Sequence, residues 1–280
     1  MEISIPEITL NDGLTLPVIG FGTYPLKGKD GVNAIVSAIN NGYRLIDSAY
    51  NYENEGTVGE AVRRSSVPRH ELLITSKLPG RYQEYDKAVA TIQESLYRAN
   101  QDYYDLYLIH WPNPNQDKYV EAWQALIDAK KWGLIRSIGV CNFLPEHLDR
   151  LEKETGVKPS INQIELHPFF NQAEQRKYHE EKNITTESWS PFTRGFKDLE
   201  IDTLQTIAVH HNKTIPQIVL RWHYQLGAIS IPKSASPVRQ LENISIFDFS
   251  LNEAEMAMIS ALSTPDGRIA NQDPAVYEEF

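Results

Sequence analysis

Residues 45–52 read L-I-D-S-A-Y-N-Y: two apolar residues, an aspartate, then a polar stretch carrying two tyrosines. This stretch decides the fold because its arrangement returns twice downstream. Residues 74–77, I-T-S-K, end on Lys77, and residues 107–110, Y-L-I-H, end on His110. Three successive strand-like runs therefore finish on an acid, an amine and an imidazole. A polar group closing an apolar run requires a partner or water. Each of these three supplies what another lacks.

Working outward, strand-like runs occupy 18–21, 44–47, 72–77, 106–110, 137–141, 162–166, 186–189 and 229–233. Amphipathic stretches separate them. Val32, Ile35, Val36 and Ile39 recur at helical spacing before the stop Asn41-Gly42, and Ala88, Ile92, Ser95 and Leu96 repeat the pattern. Further helices are expected over 119–130, 146–154 and 173–181, with two more, 199–211 and 215–226, before the eighth strand. Eight alternating β/α units favour an α/β fold of the closed (β/α)8 TIM-barrel kind, and no Gly-x-Gly-x-x-Gly follows the first strand to support an open doubly wound sheet. In such a barrel the strand ends converge on one mouth, so Asp47, Lys77 and His110 share a rim.

I-T-L-N-D-G-L-T-L, residues 8–16, alternates about Asn11-Asp12-Gly13 and predicts a hairpin ahead of the barrel. The final helix is expected to start with Ser250 as its cap and Glu253 three residues on. One domain over 1–280 follows: the hairpin at 1–16, the barrel with two extra helices at 17–262, and a tail at 263–280 that either wraps the barrel or stays mobile.

The chain has 280 residues with 41% apolar content, enough for a sizeable core. Its 27 basic and 37 acidic residues give a net charge of -10, which argues against nucleic-acid or anionic-membrane binding. Cys141 is the single cysteine, so no internal disulfide is expected, and no Cys/His spacing suggests a metal site. The opening residues M-E-I-S-I-P-E-I lack a basic start and a long apolar run. A cytoplasmic monomer without membrane attachment is the expectation.

Taken singly, Asp47 is a loop-capping carboxylate, Lys77 a snorkelling amine, His110 a satisfied core histidine and Tyr52 a packed loop residue. Their shared rim gives them a joint chemistry. A phenol has an ordinary pKa near 10, and a nearby ammonium stabilises its anion. With Asp47 holding Lys77 charged, Tyr52 becomes a general acid for a carbonyl oxygen, and His110 hydrogen-bonds that oxygen as charge develops. Tyr50 has no such partners.

The order D-S-A-x-x-Y, I-T-S-K-L, D-L-Y-L-I-H-W-P, I-G-V-C-N-F, N-Q-I-E-L-H-P, I-P-K-S and F-D-F-S-L resembles the aldo-keto reductase superfamily over nearly the whole chain. Its compact microbial branch, acting on small dicarbonyls and sugar-derived ketones, is the most similar. The resemblance implies a catalytic tetrad of Asp47, Tyr52, Lys77 and His110, with Tyr52 as proton donor, and NADPH passing a hydride to the carbonyl without a metal. It implies cofactor contacts from Gly22, Thr23, Asp47, Cys141, Asn142, Gln163, Trp189 and Ser190. Cys141 stands where the family has serine, and a thiol is the weaker donor; a reactive thiol or a packing residue are both open. Trp189 would stack on the nicotinamide ring or, alternatively, lie in the core. S-P-F-T-R-G, residues 190–195, departs from the family's Ser-Pro-Leu-Gly at Phe192 and Thr193.

Lys233, Ser234 and Arg239 match the positions that bind the adenosine 2'-phosphate, where an ammonium and a guanidinium suit a dianion. Glu242 and Asn243 match positions near the adenine. Tyr24 and Trp111 would wall the substrate site beside Tyr52 and His110, and the short connection after the fourth strand implies an open mouth and broad carbonyl specificity. Two other readings stay open: a non-catalytic NADPH sensor, and a lyase in which Lys77 forms a Schiff base.

Overall fold

The computed structural model describes residues 4–193 and 195–280, with the side chains of Phe196 and Lys197 left out. Strands β1 (Glu7–Thr9) and β2 (Thr15–Pro17) form the expected antiparallel hairpin, with Ile8 opposite Leu16. Gly13 takes φ 92° at its turn, a conformation open to glycine and strained for other residues. Leu10, Leu14 and Leu16 pack with Leu45, Leu106, Leu108, Cys141, Ile161 and Ile229, so the hairpin plugs one end of the barrel interior.

The barrel strands are β3 (Phe21–Gly22), β4 (Leu45–Asp47), β5 (Leu73–Leu78), β6 (Tyr104–Ile109), β7 (Ile135–Cys141), β8 (Ile161–Glu165), β9 (Thr185–Trp189) and β10 (Ile229–Ser230). They pair in parallel in chain order. The two ends of the sheet meet: Ile19 bridges Ser230 in parallel, Gly20 N donates to Ser230 O at 2.8 Å, and Gly22 N donates to Pro232 O at 3.2 Å. The sequence expectation of strand over 18–21 and 229–233 falls on this seam, where pairing is too broken for long strands.

Helices α1 (Gly28–Asn40), α2 (Glu55–Arg64), α3 (Tyr85–Ala99), α4 (Tyr119–Lys131), α5 (Pro145–Thr155), α6 (Ala173–Lys182), α7 (Asp202–His211), α8 (Ile215–Gln225), α9 (Pro237–Ile244) and α10 (Glu253–Ser260) complete the chain. Their apolar faces build the larger core against the outside of the sheet, with Ile35, Ile39, Ile92, Trp123 and Trp222 essentially inaccessible. The stretch expected as one helix from 199 is a 3-10 turn at Phe196–Leu199 followed by α7. The cap of α10 also differs from expectation. Asn252 Oδ1 accepts from Glu255 N and Glu255 Oε2 accepts from Asn252 N, both at 2.9 Å, while Ser250 Oγ instead accepts from Arg221 at 2.8 Å. Asn252 stands two residues after Ser250, immediately before the first residue of α10, and asparagine is among the best residues at that position.

The tail wraps the barrel. Asn115 N donates to Glu278, Tyr277 lies 4.5 Å from Trp111 between ring centroids, and Glu279 is buried. No described helix is long and apolar enough to cross a membrane.

Candidate active site

Asp47, the last residue of β4, and Lys77, on β5, are both buried with their charges adjoining. Lys77 Nζ donates to Asp47 Oδ1 at 2.6 Å and to Ser48 O at 2.7 Å. Burial is the largest single effect and depresses the amine's pKa, but the Asp47 charge and hydrogen bond, with smaller contributions from Tyr52 and Cys141, together outweigh it, and the net direction is up. The ammonium therefore stays charged, which opposes the Schiff-base reading. Thr23 and Asn54 brace this arrangement from behind. Thr23 Oγ1 donates to Asp47 O at 2.8 Å, and Asn54 Nδ2 donates to Thr23 O, Thr23 Oγ1 and Leu26 O. The hydroxyl of Thr23 is thus committed to the protein's own backbone.

Tyr52 lies on a 3-10 turn just beyond β4, with the Lys77 ammonium 5.0 Å from its ring centroid and the His110 ring 5.8 Å away. The sequence expectation was a phenol acidified by Lys77. Burial proves the stronger effect and pushes the phenol up to about 12, against the smaller downward pull of the ammonium. Tyr52 is consequently protonated at neutral pH, with Lys77 lowering the cost of its anion without producing it.

His110 follows β6. Its Nδ1 is 2.7 Å from Glu279 Oε1, close enough for a charge pair although the direction misses an in-line hydrogen bond. Tyr24 is 62% exposed and lies 5.0 Å from Tyr52 between ring centroids. Trp111 is buried beneath Tyr277. The short connection after β6 therefore leaves less of an opening than its length suggests, because the tail covers it.

Deeper in the barrel, Gln163 Nε2 donates to Asp47 Oδ2 at 2.9 Å and to Glu187 Oε2 at 2.7 Å. Glu187 is fully buried, and burial followed by the charge of Asp47 pushes its carboxyl up to about 8. One ammonium balances one carboxylate, so the second carboxyl keeps its proton near neutral pH. Sequence reading missed Glu187, since an acid on a strand ordinarily faces water.

Asn142 takes φ 63° after β7; it donates to His110 O at 3.1 Å and accepts from Trp189 Nε1 at 2.8 Å. One amide hydrogen and one lone pair remain for a ligand. Trp189 is half-exposed at the mouth, so it is not a buried core residue. Cys141 is buried in the apolar interior, and burial pushes its thiol well up. The reactive-thiol alternative fails on that ground. Ser190 follows with φ 50°; Arg194 of the same loop falls outside the described residues.

The seam carries the remaining expected residues. Gly22 has no room for a side chain: an added Cβ would stand 2.7 Å from Ile231 O. Lys233 and Arg239 are exposed on the rim, with buried Ser234 between them in sequence. Ser234 Oγ donates to Ser236 O, and Ser236 caps α9 by accepting from Arg239 N. Gln240, which the sequence did not single out, holds this loop: its amide donates to Ser234 O and Ala34 O at 2.9 Å each and accepts from Ser37 and Asn41. Asn243 is buried beside the Tyr43 hydroxyl. Glu242 accepts a hydrogen bond from Thr214 Oγ1 at 2.7 Å. A separate open groove lined by Pro145, Phe170, Gln172, Tyr178 and Thr264 shares none of these residues.

The chain is similar to known proteins over nearly its whole length. The model of the aldo/keto reductase family matches residues 18–264. Over 277 residues the chain is 50% identical to 2,5-diketo-D-gluconic acid reductase B of a Corynebacterium species, covering 99% of both chains. It is 44% identical over 273 residues to the methylglyoxal reductase DkgA of Yersinia pestis, covering 97% of each. A Gox0644 variant crystallised with NADPH superposes with a TM-score of 0.93 at 40% identity, covering 98% of this chain and 99% of the other. The chain belongs to the aldo/keto reductase family.

Proposed function

We propose that the protein reduces small carbonyl compounds, namely dicarbonyls and sugar-derived or aromatic aldehydes and ketones, to alcohols with NADPH. The observation that carries this reading is the fully buried Lys77 ammonium, held by Asp47 and facing the Tyr52 ring. NADPH, when bound, supplies a hydride to the carbonyl carbon. The chain's own residues deal with the oxygen. As that oxygen gains charge, Tyr52 transfers its hydroxyl proton to it, and the resulting phenolate is stabilised by Lys77 until solvent returns a proton. An alkoxide is more basic than a phenolate whose conjugate acid has a pKa of about 12, so the transfer runs downhill.

The residues fit the cofactor's demands. The half-exposed Trp189 offers a ring face, Asn142 and Gln163 offer amides for a carboxamide, and Ser190 lies beside them. At the far side Lys233, Ser234 and Arg239 supply charge and hydroxyl for a 2'-phosphate, in a chain whose net charge is -10. The relatives named for diketogluconate and methylglyoxal support vicinal and sugar-derived dicarbonyls as first candidates.

Following the loss of NADPH absorbance with a panel of methylglyoxal, diketogluconate and an activated aromatic aldehyde tests the reading. Turnover with any supports it. Tight NADPH binding with no oxidation across the panel would favour the sensor instead.

A further inference from the structure

Helix α7 ends on two consecutive histidines, His210 and His211, and both rings reach Glu255 in the first turn of α10. His210 Nδ1 lies 2.7 Å from Glu255 Oε1, and His211 Nε2 lies 3.0 Å from each of the two carboxylate oxygens. Consecutive residues on a helix do not ordinarily face one another. Here one carboxylate on the neighbouring helix engages both, and the ring centroids stand 4.7 Å apart. Each member of the group is held from a second side or has room to adjust. Glu255 is buried, and its Oε2 accepts from Asn252 N at 2.9 Å. The His211 ring packs against Phe249 at 5.3 Å between centroids, whereas the His210 side chain is 65% exposed. Lys213, the nearest amine in sequence, is committed to Asp248 at 2.6 and 2.8 Å and leaves the Glu255 carboxylate to the histidines.

Two imidazoles and a carboxylate converging from two helices are a ligand set. The three ligand atoms lie within 4.8 Å of one another, and among the described residues no other three histidine, cysteine or carboxylate side chains converge so closely. Around a zinc ion with bonds of about 2.0–2.1 Å, tetrahedral ligands stand roughly 3.3 Å apart. The two short N···O contacts need to open by less than an ångström, and the exposed His210 ring can turn to complete the shape. Imidazole nitrogen favours Zn2+, Co2+, Ni2+ or Cu2+ over Mg2+ and Ca2+, which take oxygen ligands. We propose that His210, His211 and Glu255 form a binding site for a divalent transition metal, His210 ligating through Nδ1, His211 through Nε2 and Glu255 through its carboxylate, with water completing the shell. The metal replaces the protons that bridge the rings to the carboxylate, and each neutral imidazole keeps its proton on the other nitrogen. Once bound, it pins the end of α7 to the start of α10. The site shares no residue with the barrel mouth and stands independently of the carbonyl-reductase reading. Its third ligand lies 44 residues beyond His211, which is why no Cys/His spacing announces it.

The test is isothermal titration of the full chain, free of any histidine tag and stripped with a chelator, with ZnCl2. One equivalent should bind, and with free Zn2+ about a hundredfold above Kd the melting temperature should rise by about 5 °C. An excess of MgCl2 should leave the Zn2+ affinity unchanged. His210→Ala, at an exposed side chain, should weaken Zn2+ roughly tenfold or more and lose most of the thermal shift, while the metal-free protein melts as wild type does. Glu255→Gln removes the anionic ligand yet keeps the cap of α10, where glutamine serves as glutamate does, and should weaken Zn2+ by a similar factor. No binding to the wild-type protein, or wild-type affinity in His210→Ala, overturns the proposal. Wild-type affinity in Glu255→Gln alone refutes the three-ligand site, since the histidines would then hold the ion without the carboxylate. Should Glu255→Gln fail to fold, His210→Ala decides.

Discussion

The side-chain amide of Gln163 donates to Glu187 Oε2 across 2.7 Å inside the barrel. The same nitrogen also reaches Asp47, so two acids compete for one neutral donor and one ammonium. Glu187 loses that competition and titrates near 8 in the folded protein, against an ordinary 4.5. Between those values the native state holds a proton that the unfolded chain has released, so stability falls as pH rises from about 4.5 to about 8 and then levels. The loss attributable to this group is on the order of 5 kcal/mol at most. Glu187→Gln should flatten the dependence: thermal melts at pH 6 and pH 9 should differ less than in wild type. An unchanged slope would assign the pH dependence elsewhere.

Lys233 and Arg239 flank the loop that Gln240 holds, at the opposite side of the seam from Tyr52. Removing both charges with Lys233→Ala and Arg239→Ala should weaken NADPH by roughly a hundredfold or more, since each charge-assisted contact contributes about 1.5–3 kcal/mol. NADH, which lacks the phosphate, should bind nearly as before. Fluorescence titration with both nucleotides checks this, and equal weakening of the two would remove the 2'-phosphate role.

Cys141 lies in the apolar interior with its thiol pushed well up by burial. A thiol reagent at pH 8 should therefore label the native protein roughly a hundredfold or more slower than the denatured chain, because reaction must await opening. Rapid labelling of folded protein would show that the thiol reaches the mouth.

The barrel and the three strand-end groups were legible because both depend on short-range pattern. Asp47, Lys77 and His110 each close an apolar run, and parallel strands deliver such ends to one rim. The partners of those groups were not legible. Glu279 meets Gly80, Asn51 and His110 from a tail without periodicity, across more than a hundred residues of intervening chain, and no local rule connects them. Glu187 has the strand alternation of a solvent-facing acid; only barrel closure turns that face inward. Gln240 sits on a helix as an ordinary polar residue, and its four hydrogen bonds appear only when α1 packs beside α9. The direction of the Tyr52 shift was misjudged for a related reason. Sequence showed the ammonium beside the phenol but not how dry the site around them is.

Replacement of Tyr52 by phenylalanine removes one oxygen and leaves the ring packing against Tyr24 and His110 in place. The decisive measurement is single-turnover reduction of methylglyoxal by Tyr52→Phe saturated with NADPH, alongside the dissociation constant for that nucleotide. Loss of about 10^2–10^4 in rate with nucleotide binding intact is the result expected of a missing proton donor. Wild-type turnover by the variant would contradict it.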